Sequence, residues 1–125
     1  MARVLIVEDN PVNMKLATFL LQSAGHTVLS ATDAEAGLAL ARGEQPNLIL
    51  MDIQLPGMDG LEATVLLKRD DATRAIPVIV LTALAMKGDE ERIRAAGCDG
   101  YIAKPIDTRT LPGRIEEYLA GGGGR

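Results

Sequence analysis

Asn47-Leu48-Ile49-Leu50-Met51-Asp52-Ile53-Gln54-Leu55-Pro56-Gly57-Met58-Asp59-Gly60 is the stretch whose reading decides the fold. Its apolar run is long enough for a strand buried on both faces, as in a parallel sheet, and too short for an ordinary helix. The run ends in Asp52, and Pro56-Gly57 closes the loop that follows. In open α/β sheets, ligands bind at the carboxyl ends of the strands. Asp52 therefore stands where chemistry is expected. A carboxylate that closes such a run needs a partner, because a buried, unpaired charge is costly or is forced to protonate.

Outward from this stretch, the chain alternates apolar runs with helical patterns. Arg3 to Val7 reads as a buried strand, and Glu8-Asp9-Asn10-Pro11 as an acidic turn. Pro11 suits the first turn of a helix capped by Asn10 or Asp9. Val12, Leu16, Phe19 and Leu20 fall on one face of that helix, which Gly25 ends. His26, beside Gly25 in the turn, reads as a surface residue. Thr27 to Ala31 is a second strand. Asp33 caps a second helix running to about Arg42, with Leu38 and Leu40 as its large apolar residues. Gly43 to Pro46 forms a turn before the strand that ends at Asp52.

Asp59-Gly60 opens a third helix through Leu66-Leu67-Lys68, and Asp70 to Ala75 reads as a polar loop. Val78 to Leu81 is the fourth strand, ending at Thr82, and Ala83 to Lys87 connects it onward. Asp89 to Ala96 is a charged fourth helix stopped by Gly97. Cys98 reads as a small buried hydrophobe. Asp99 to Ala103 is the fifth strand, followed by Lys104-Pro105. The last helix begins at Asp107 or Thr108 and carries Leu111, Ile115 and Leu119 four apart. Pro112 fits only in its first turn. Residues 121–125 form a flexible Gly-rich tail, leaving residues 1–120 as the functional unit.

Five βα units predict an α/β fold, a doubly wound parallel sheet with helices on both faces and right-handed connections. A chain of 125 residues supports one domain. It is 47% hydrophobic, yet Phe19, Tyr101 and Tyr118 are its only aromatics, so the core is largely aliphatic. The net charge is −4, and no basic block or aromatic-studded basic stripe is present, which argues against direct nucleic-acid binding. The single cysteine excludes an intrachain disulfide and fits a cytoplasmic setting. No apolar run approaches the ~20 residues needed to span a bilayer, and the run Val4 to Val7 is too short for a signal-peptide core.

The chemistry-bearing residues gather at strand ends. The first strand ends in Glu8-Asp9, the third in Asp52, the fourth in Thr82 and the fifth near Lys104. A parallel sheet brings these ends to one edge. Two carboxylates at ~4 Å repel by ~4 kcal/mol at an effective dielectric of ~20, so three together call for a cation. Oxygen ligands at an open, hydrated site suit Mg²⁺. With Lys104 as a fixed positive charge, Thr82 as a hydroxyl donor and Asp52 as nucleophile, the set reads as phosphoryl chemistry through an aspartyl-phosphate. Singly, each of these residues is an ordinary cap, core or surface residue. Their convergence carries the reading.

Four motifs in order, Val7-Glu8-Asp9-Asn10, Met51 to Gly60, Leu81-Thr82-Ala83 and Gly100-Tyr101-Ile102-Ala103-Lys104-Pro105, resemble the receiver domain of two-component response regulators along nearly the whole chain. Thr82 to Pro105 is especially similar to the DivK-type single-domain regulators. The resemblance implies the flavodoxin-like (βα)5 strand order 2-1-3-4-5. It implies Asp52 as phosphoacceptor from a partner's phosphohistidine, on a histidine kinase or a histidine phosphotransfer protein. It implies Asp9, Asp52 and the backbone carbonyl of Gln54 as direct Mg²⁺ ligands, with Glu8 acting through water. Lys104 is similar to the phosphate-binding lysine, and Lys104-Pro105 to the cis peptide that aims it. Thr82 and Tyr101 resemble a coupled switch pair that alters the surface of the fourth helix, fifth strand and fifth helix.

A regulator of this kind is not an enzyme with a separate substrate. It signals through a downstream protein target, as a monomer or weak dimer. Gln54 and Leu84 lie where access of attacking water to the phosphate is tuned. The closeness of the last helix to the chain end favours a stand-alone regulator over a receiver cut from a longer protein. Two alternatives use related chemistry. A phosphatase of the haloacid dehalogenase kind also has a nucleophilic Asp and Mg²⁺, but it wants a second Asp where this chain has Gln54. A nucleotide or flavin binder wants a phosphate loop after the first strand, where this chain has Glu8-Asp9-Asn10-Pro11.

Overall fold

The computed structural model describes residues 2–83 and 87–121, without the side chains of 87–89. Five strands alternate with five helices in the order β1 (Arg3–Val7), α1 (Pro11–Ser23), β2 (Thr27–Ala31), α2 (Ala34–Glu44), β3 (Leu48–Asp52), α3 (Gly60–Arg69), β4 (Val78–Thr82), α4 (Lys87–Ala95), β5 (Gly100–Ala103) and α5 (Leu111–Leu119). The strands form one parallel sheet in the order β2-β1-β3-β4-β5, as the resemblance implies. Leu84 and residues 122–125 of the expected tail lie outside the described residues.

β3 and β4 are buried along their whole length, as their unbroken apolar runs require. Alternation along the strands divides the core in two. Leu5, Val7, Ile49, Met51, Val78 and Val80 pack with Ala34 and Ala41 of α2, Ala63 and Leu67 of α3, and Ile93 of α4. Val4, Ile6, Leu48, Leu50, Ile79 and Leu81 pack on the other face with Ala17 and Leu21 of α1 and Leu111 and Ile115 of α5.

Sequence reading and structure part company in several places. The face of α1 that is buried is Ala17 and Leu21, with Met14, Leu16 and Leu20 packed beside them, whereas Val12 and Phe19 are 72% and 66% exposed. α1 has apolar residues on two overlapping stripes, and the one containing the small Ala17 lets the helix sit close to the sheet. His26 is buried, not a surface residue: its Nδ1 accepts from the Ala2 amide at 3.1 Å, and its Nε2 lies 2.7 Å from Glu116 Oε2. Gly25, at φ 96°, makes the turn that carries it inward.

α2 runs past the expected end at Arg42, through Gly43 of the expected turn, and stops at Gln45, whose positive φ and side-chain bonds to the Ala41 and Arg42 carbonyls close the helix. The Asp70 to Ala75 stretch is anchored, because Thr73 is buried and donates to the Leu67 carbonyl at 2.7 Å. α4 begins at Lys87, before the expected Asp89, and α5 begins at Leu111, after the expected Asp107 or Thr108. Asp107 instead accepts from the Arg109 amide and closes a turn.

Two helix starts position the sheet's carboxyl edge. Asn10 caps α1 by accepting from the Val12 and Asn13 amides. Asp59 and Glu62 form a reciprocal capping box at α3. Gly60 follows immediately, and a Cβ there would lie 2.1 Å from the Asp52 carbonyl oxygen. The strand end that carries Asp52 is thus pressed directly onto the first turn of α3. Alanine in an open helix is favoured over glycine by ~1 kcal/mol, whereas overpacking costs ~1–3 kcal/mol. Gly60→Ala is expected to lose stability in urea denaturation despite its helix propensity, and a net gain would show that α3 does not press on the β3 end.

Candidate functional site

The parallel register delivers the site. Val7 pairs with Met51 and Asp52 with Leu81, so Glu8 emerges beside Asp52. Ladder bonds continue past the strands: the Glu8 amide donates to the Ala31 carbonyl at 3.0 Å, and the Lys104 amide to the Thr82 carbonyl at 2.8 Å. Main-chain geometry therefore brings the sequence-predicted Glu8, Asp9, Asp52, Thr82 and Lys104 to one edge. An open cleft of about 660 Å³ lies there, lined by Glu8, Asp9, Asn10, Pro11, Asn13, Asp52, Gln54 and Lys104.

Asp52 is 2% exposed. Its Oδ1 accepts from the Gln54 amide at 3.1 Å and lies 3.0 Å from Lys104 Nζ. This is the partner that the buried carboxylate required. Lys104 Nζ is also 3.5 Å from Glu8 Oε1, and the Lys104-Pro105 bond is cis, as expected. Thr82 is buried at the end of β4.

Glu8 is almost wholly buried, and its Oε2 accepts from the Asn10 amide at 3.1 Å. Its Oε1 makes no hydrogen bond among the described residues. Burial pushes the Glu8 carboxyl up to about 7, and its contact with Asp52 adds to the shift, while the Asn10 amide and Lys104 oppose it. Ligand oxygens of Glu8, Asp9 and Asp52 all lie within 4.8 Å of one another. The donor set is entirely carboxylate oxygen, and one buried oxygen lacks a hydrogen bond. Both features fit a hard divalent cation such as Mg²⁺.

Tyr101 stands apart from this cluster. It is half-buried against the core on the α4 side, and its hydroxyl donates to Glu90 Oε2 at 2.8 Å. The Glu90 contact holds the Tyr101 hydroxyl above its ordinary pKa. Arg114 of α5 donates to the Tyr101 carbonyl at 3.0 Å. Neither Glu90 nor Arg114 was legible as a partner, since each reads as one more charge on a helix surface. Cys98 is half-buried, and burial pushes its thiol up to about 11, in keeping with the expected hydrophobe.

Comparison with known proteins gives a consistent result. The family model for the response regulator receiver domain matches residues 4–116. The polar-differentiation response regulator DivK of Brucella anthropi is 53% identical over 116 residues, covering 93% of this chain and 94% of its own. A putative response regulator from Chloroflexus aurantiacus superposes with a TM-score of 0.90 at 28% identity, over 95% of this chain and 98% of its own. The receiver domain of a sensor histidine kinase from Pseudomonas aeruginosa superposes with a TM-score of 0.86 at 37% identity, over 96% and 98%, and has a magnesium ion coordinated in its active site cleft. The phosphatase alternative finds no support in these matches, and Gln54 lacks the carboxylate it requires. Among the described residues no helix is long and apolar enough to cross a membrane.

The elevated Glu8 pKa makes a prediction for metal-free protein. The folded state binds the Glu8 proton more tightly than the unfolded state, whose value is about 4.5. The stabilisation from the protonated form is fully present below 4.5 and is lost as pH rises through about 7. In the presence of a chelator, wild-type stability measured against Glu8→Gln is expected to fall by up to ~3 kcal/mol across that window. Thermal and urea melts at several pH values read this difference. A difference independent of pH would contradict the buried, proton-retaining Glu8.

Proposed function

The chain belongs to the response regulator receiver domain family of two-component signalling, and on that premise we propose that Asp52 is its phosphoacceptor. The observation that carries this reading is the 3.0 Å approach of Lys104 Nζ to Asp52 Oδ1 in a cleft that also holds Glu8 and Asp9. Asp52 offers an oxygen nucleophile at the floor of the cleft. Its attack on the phosphorus of a partner's phosphohistidine forms a P–O bond and breaks the P–N bond. The bonding pair leaves on the imidazole nitrogen, which is then protonated. Lys104 supplies positive charge to the transferred oxygens, and the Thr82 hydroxyl supplies a hydrogen bond.

Asp9, Asp52 and the backbone carbonyl of Gln54 would hold Mg²⁺, with Glu8 acting through water. The ion, when bound, supplies neutralising charge to the phosphoryl oxygens. The donors are a histidine kinase or a histidine phosphotransfer protein, and residues 1–120 act as the phosphoacceptor unit in the cytoplasm. Phosphorylation replaces one carboxylate charge by roughly two phosphate charges. Thr82 and Tyr101 carry that change to the surface of α4, β5 and α5, where a downstream protein reads it. The chain promotes its own phosphorylation and turns over no separate substrate.

Incubation with acetyl phosphate and Mg²⁺, followed by peptide mapping, tests the assignment. A base-labile phosphoryl adduct on Asp52 is expected, absent from Asp52→Asn. Lys104→Ala is expected to lower the rate by about 10²-fold or more, the usual scale for removing one charge-stabilising donor. Modification of a Ser or Thr in place of Asp52 would refute the reading.

A further inference from the structure

We propose that Glu90 is a positioning residue that latches Tyr101 to α4 and so sets the resting state of the switch. The inference rests on the phosphoacceptor reading for the meaning of the switch, but the latch itself rests on geometry. Tyr101 is the aromatic residue of β5, paired in register with Val80, and it packs on the same sheet face as Val78, Val80 and Ile93. Thr82 follows Val80 by one strand period, so strand alternation gives it the same face. Hydroxyl and ring are thus diagonal neighbours on adjacent strands.

The Tyr101 side chain is tied to α4 by the 2.8 Å bond to Glu90 Oε2, and its main chain is tied to α5 by Arg114. One residue therefore joins three elements of the proposed output surface. Its two ties differ in kind. The Arg114 bond goes to a carbonyl and persists whatever the ring does. The Glu90 bond goes to the phenolic hydroxyl and exists only while the ring reaches toward α4. Glu90 is on the first turn of α4, where a carboxylate is favoured by the helix dipole. A charged acceptor makes the bond stronger than a neutral one would.

Any rotation of Tyr101 away from α4 must break this bond. Glu90 therefore biases the unphosphorylated population toward the ring position that reaches α4, and the apparent affinity for a phosphoryl group is reduced by the fraction so held. Removing the Glu90 acceptor should release the ring without touching Asp52, Lys104 or the acidic cluster.

The test uses beryllium trifluoride with Mg²⁺ as phosphoryl mimic, with affinity read by calorimetry. Glu90→Ala is expected to bind about three- to tenfold more tightly than wild type. In a Tyr101→Phe background, which lacks the hydroxyl, the same substitution should change nothing. Glu90→Gln, which keeps an acceptor oxygen, should stay closer to wild type than Glu90→Ala. An unchanged affinity for Glu90→Ala, or an equal change in both backgrounds, would overturn the latch. Fluorine NMR of 3-fluorotyrosine-labelled protein gives a second reading without any ligand. Glu90→Ala should shift the Tyr101 resonance, identified by its loss in Tyr101→Phe, and an unmoved resonance would also overturn the latch. If the wild type fails to bind the mimic, the phosphoacceptor reading falls, and the fluorine spectrum still decides the latch.

Discussion

The attraction between Lys104 and Asp52 is the interaction on which the site depends. At 3.0 Å and an effective dielectric of ~20, it is worth roughly 5 kcal/mol before desolvation is counted. The acids beside it repel. Two carboxylate oxygens at the 4.8 Å outer limit of the cluster cost roughly 3 kcal/mol on the same scale. One ammonium can answer one carboxylate, and three acids converge here. The structure relieves the excess in two ways, by exposing Asp9 to water and by raising the proton affinity of the buried Glu8. A divalent cation would relieve it in a third way, by releasing that proton. The pocket is therefore built to prefer added positive charge. On the proposed function, a transferred phosphoryl group, itself anionic, would have a place there only when that charge is supplied.

The rest of the fold holds this arrangement still. Both faces of β1, β3 and β4 are covered, so a register slip would expose an apolar strand face and would displace Glu8 from Asp52 at the same time. At the opposite edge, Lys68 Nζ donates to the carbonyls of Arg74 and Ile76 and to Asp99 Oδ2, which also accepts from the Val78 amide. That cluster pins the starts of β4 and β5 together, and the pairing of Thr82 with Ala103 at the other end follows from it. At the carboxyl edge, Gly60 lets α3 touch the Asp52 carbonyl, so the strand end has little room to recoil.

How much of this was legible in the sequence depends on the range of the interaction. The buried strands announced themselves, because a parallel strand covered on both faces has little choice but an apolar run. Asp33 and Asp59 were legible as caps, and Asn10 as one of two candidates with Asp9, since a cap is satisfied within three residues of itself. The convergence of Glu8, Asp9, Asp52, Thr82 and Lys104 followed from topology, because parallel strands put their ends on one edge. Side-chain partners across long separations were not legible. His26 finds Glu116 ninety residues away, and its burial depends on where α5 lies. Lys68 looks like any lysine in a last helical turn until Asp99 is placed opposite. α1 shows that even a periodic signal can mislead when a helix offers two apolar stripes. The sheet selected the one with the small residue, and left Val12 and Phe19 in water, a placement that single apolar residues tolerate without difficulty.

With Asp52 as the proposed phosphoacceptor, the division of the core also bears on how a charge added there would reach the surface. Asp52 continues the alternation of Leu48 and Leu50, and Glu8 that of Val4 and Ile6, so both belong to the α1 and α5 side of the sheet. Thr82 and Tyr101 belong to the α4 side. On that reading a signal would have to cross from one face to the other, and the crossing would lie beyond the strand ends, where Thr82 closes β4 next to the strand that ends in Asp52. Magnitudes show that the crossing is feasible. One further negative charge a few ångströms from a cation or donor changes local energies by roughly 4–5 kcal/mol at a dielectric of ~20. A hydrogen bond to a charged acceptor, such as that of Tyr101 to Glu90, contributes about 1.5–3 kcal/mol. Only the part of the new attraction felt differently in the two ring positions can shift the balance. Even half of it is comparable to the bond that opposes it. Such a switch is poised and not locked, and its set point depends on the weak bond at α4 as much as on the strong charges in the cleft.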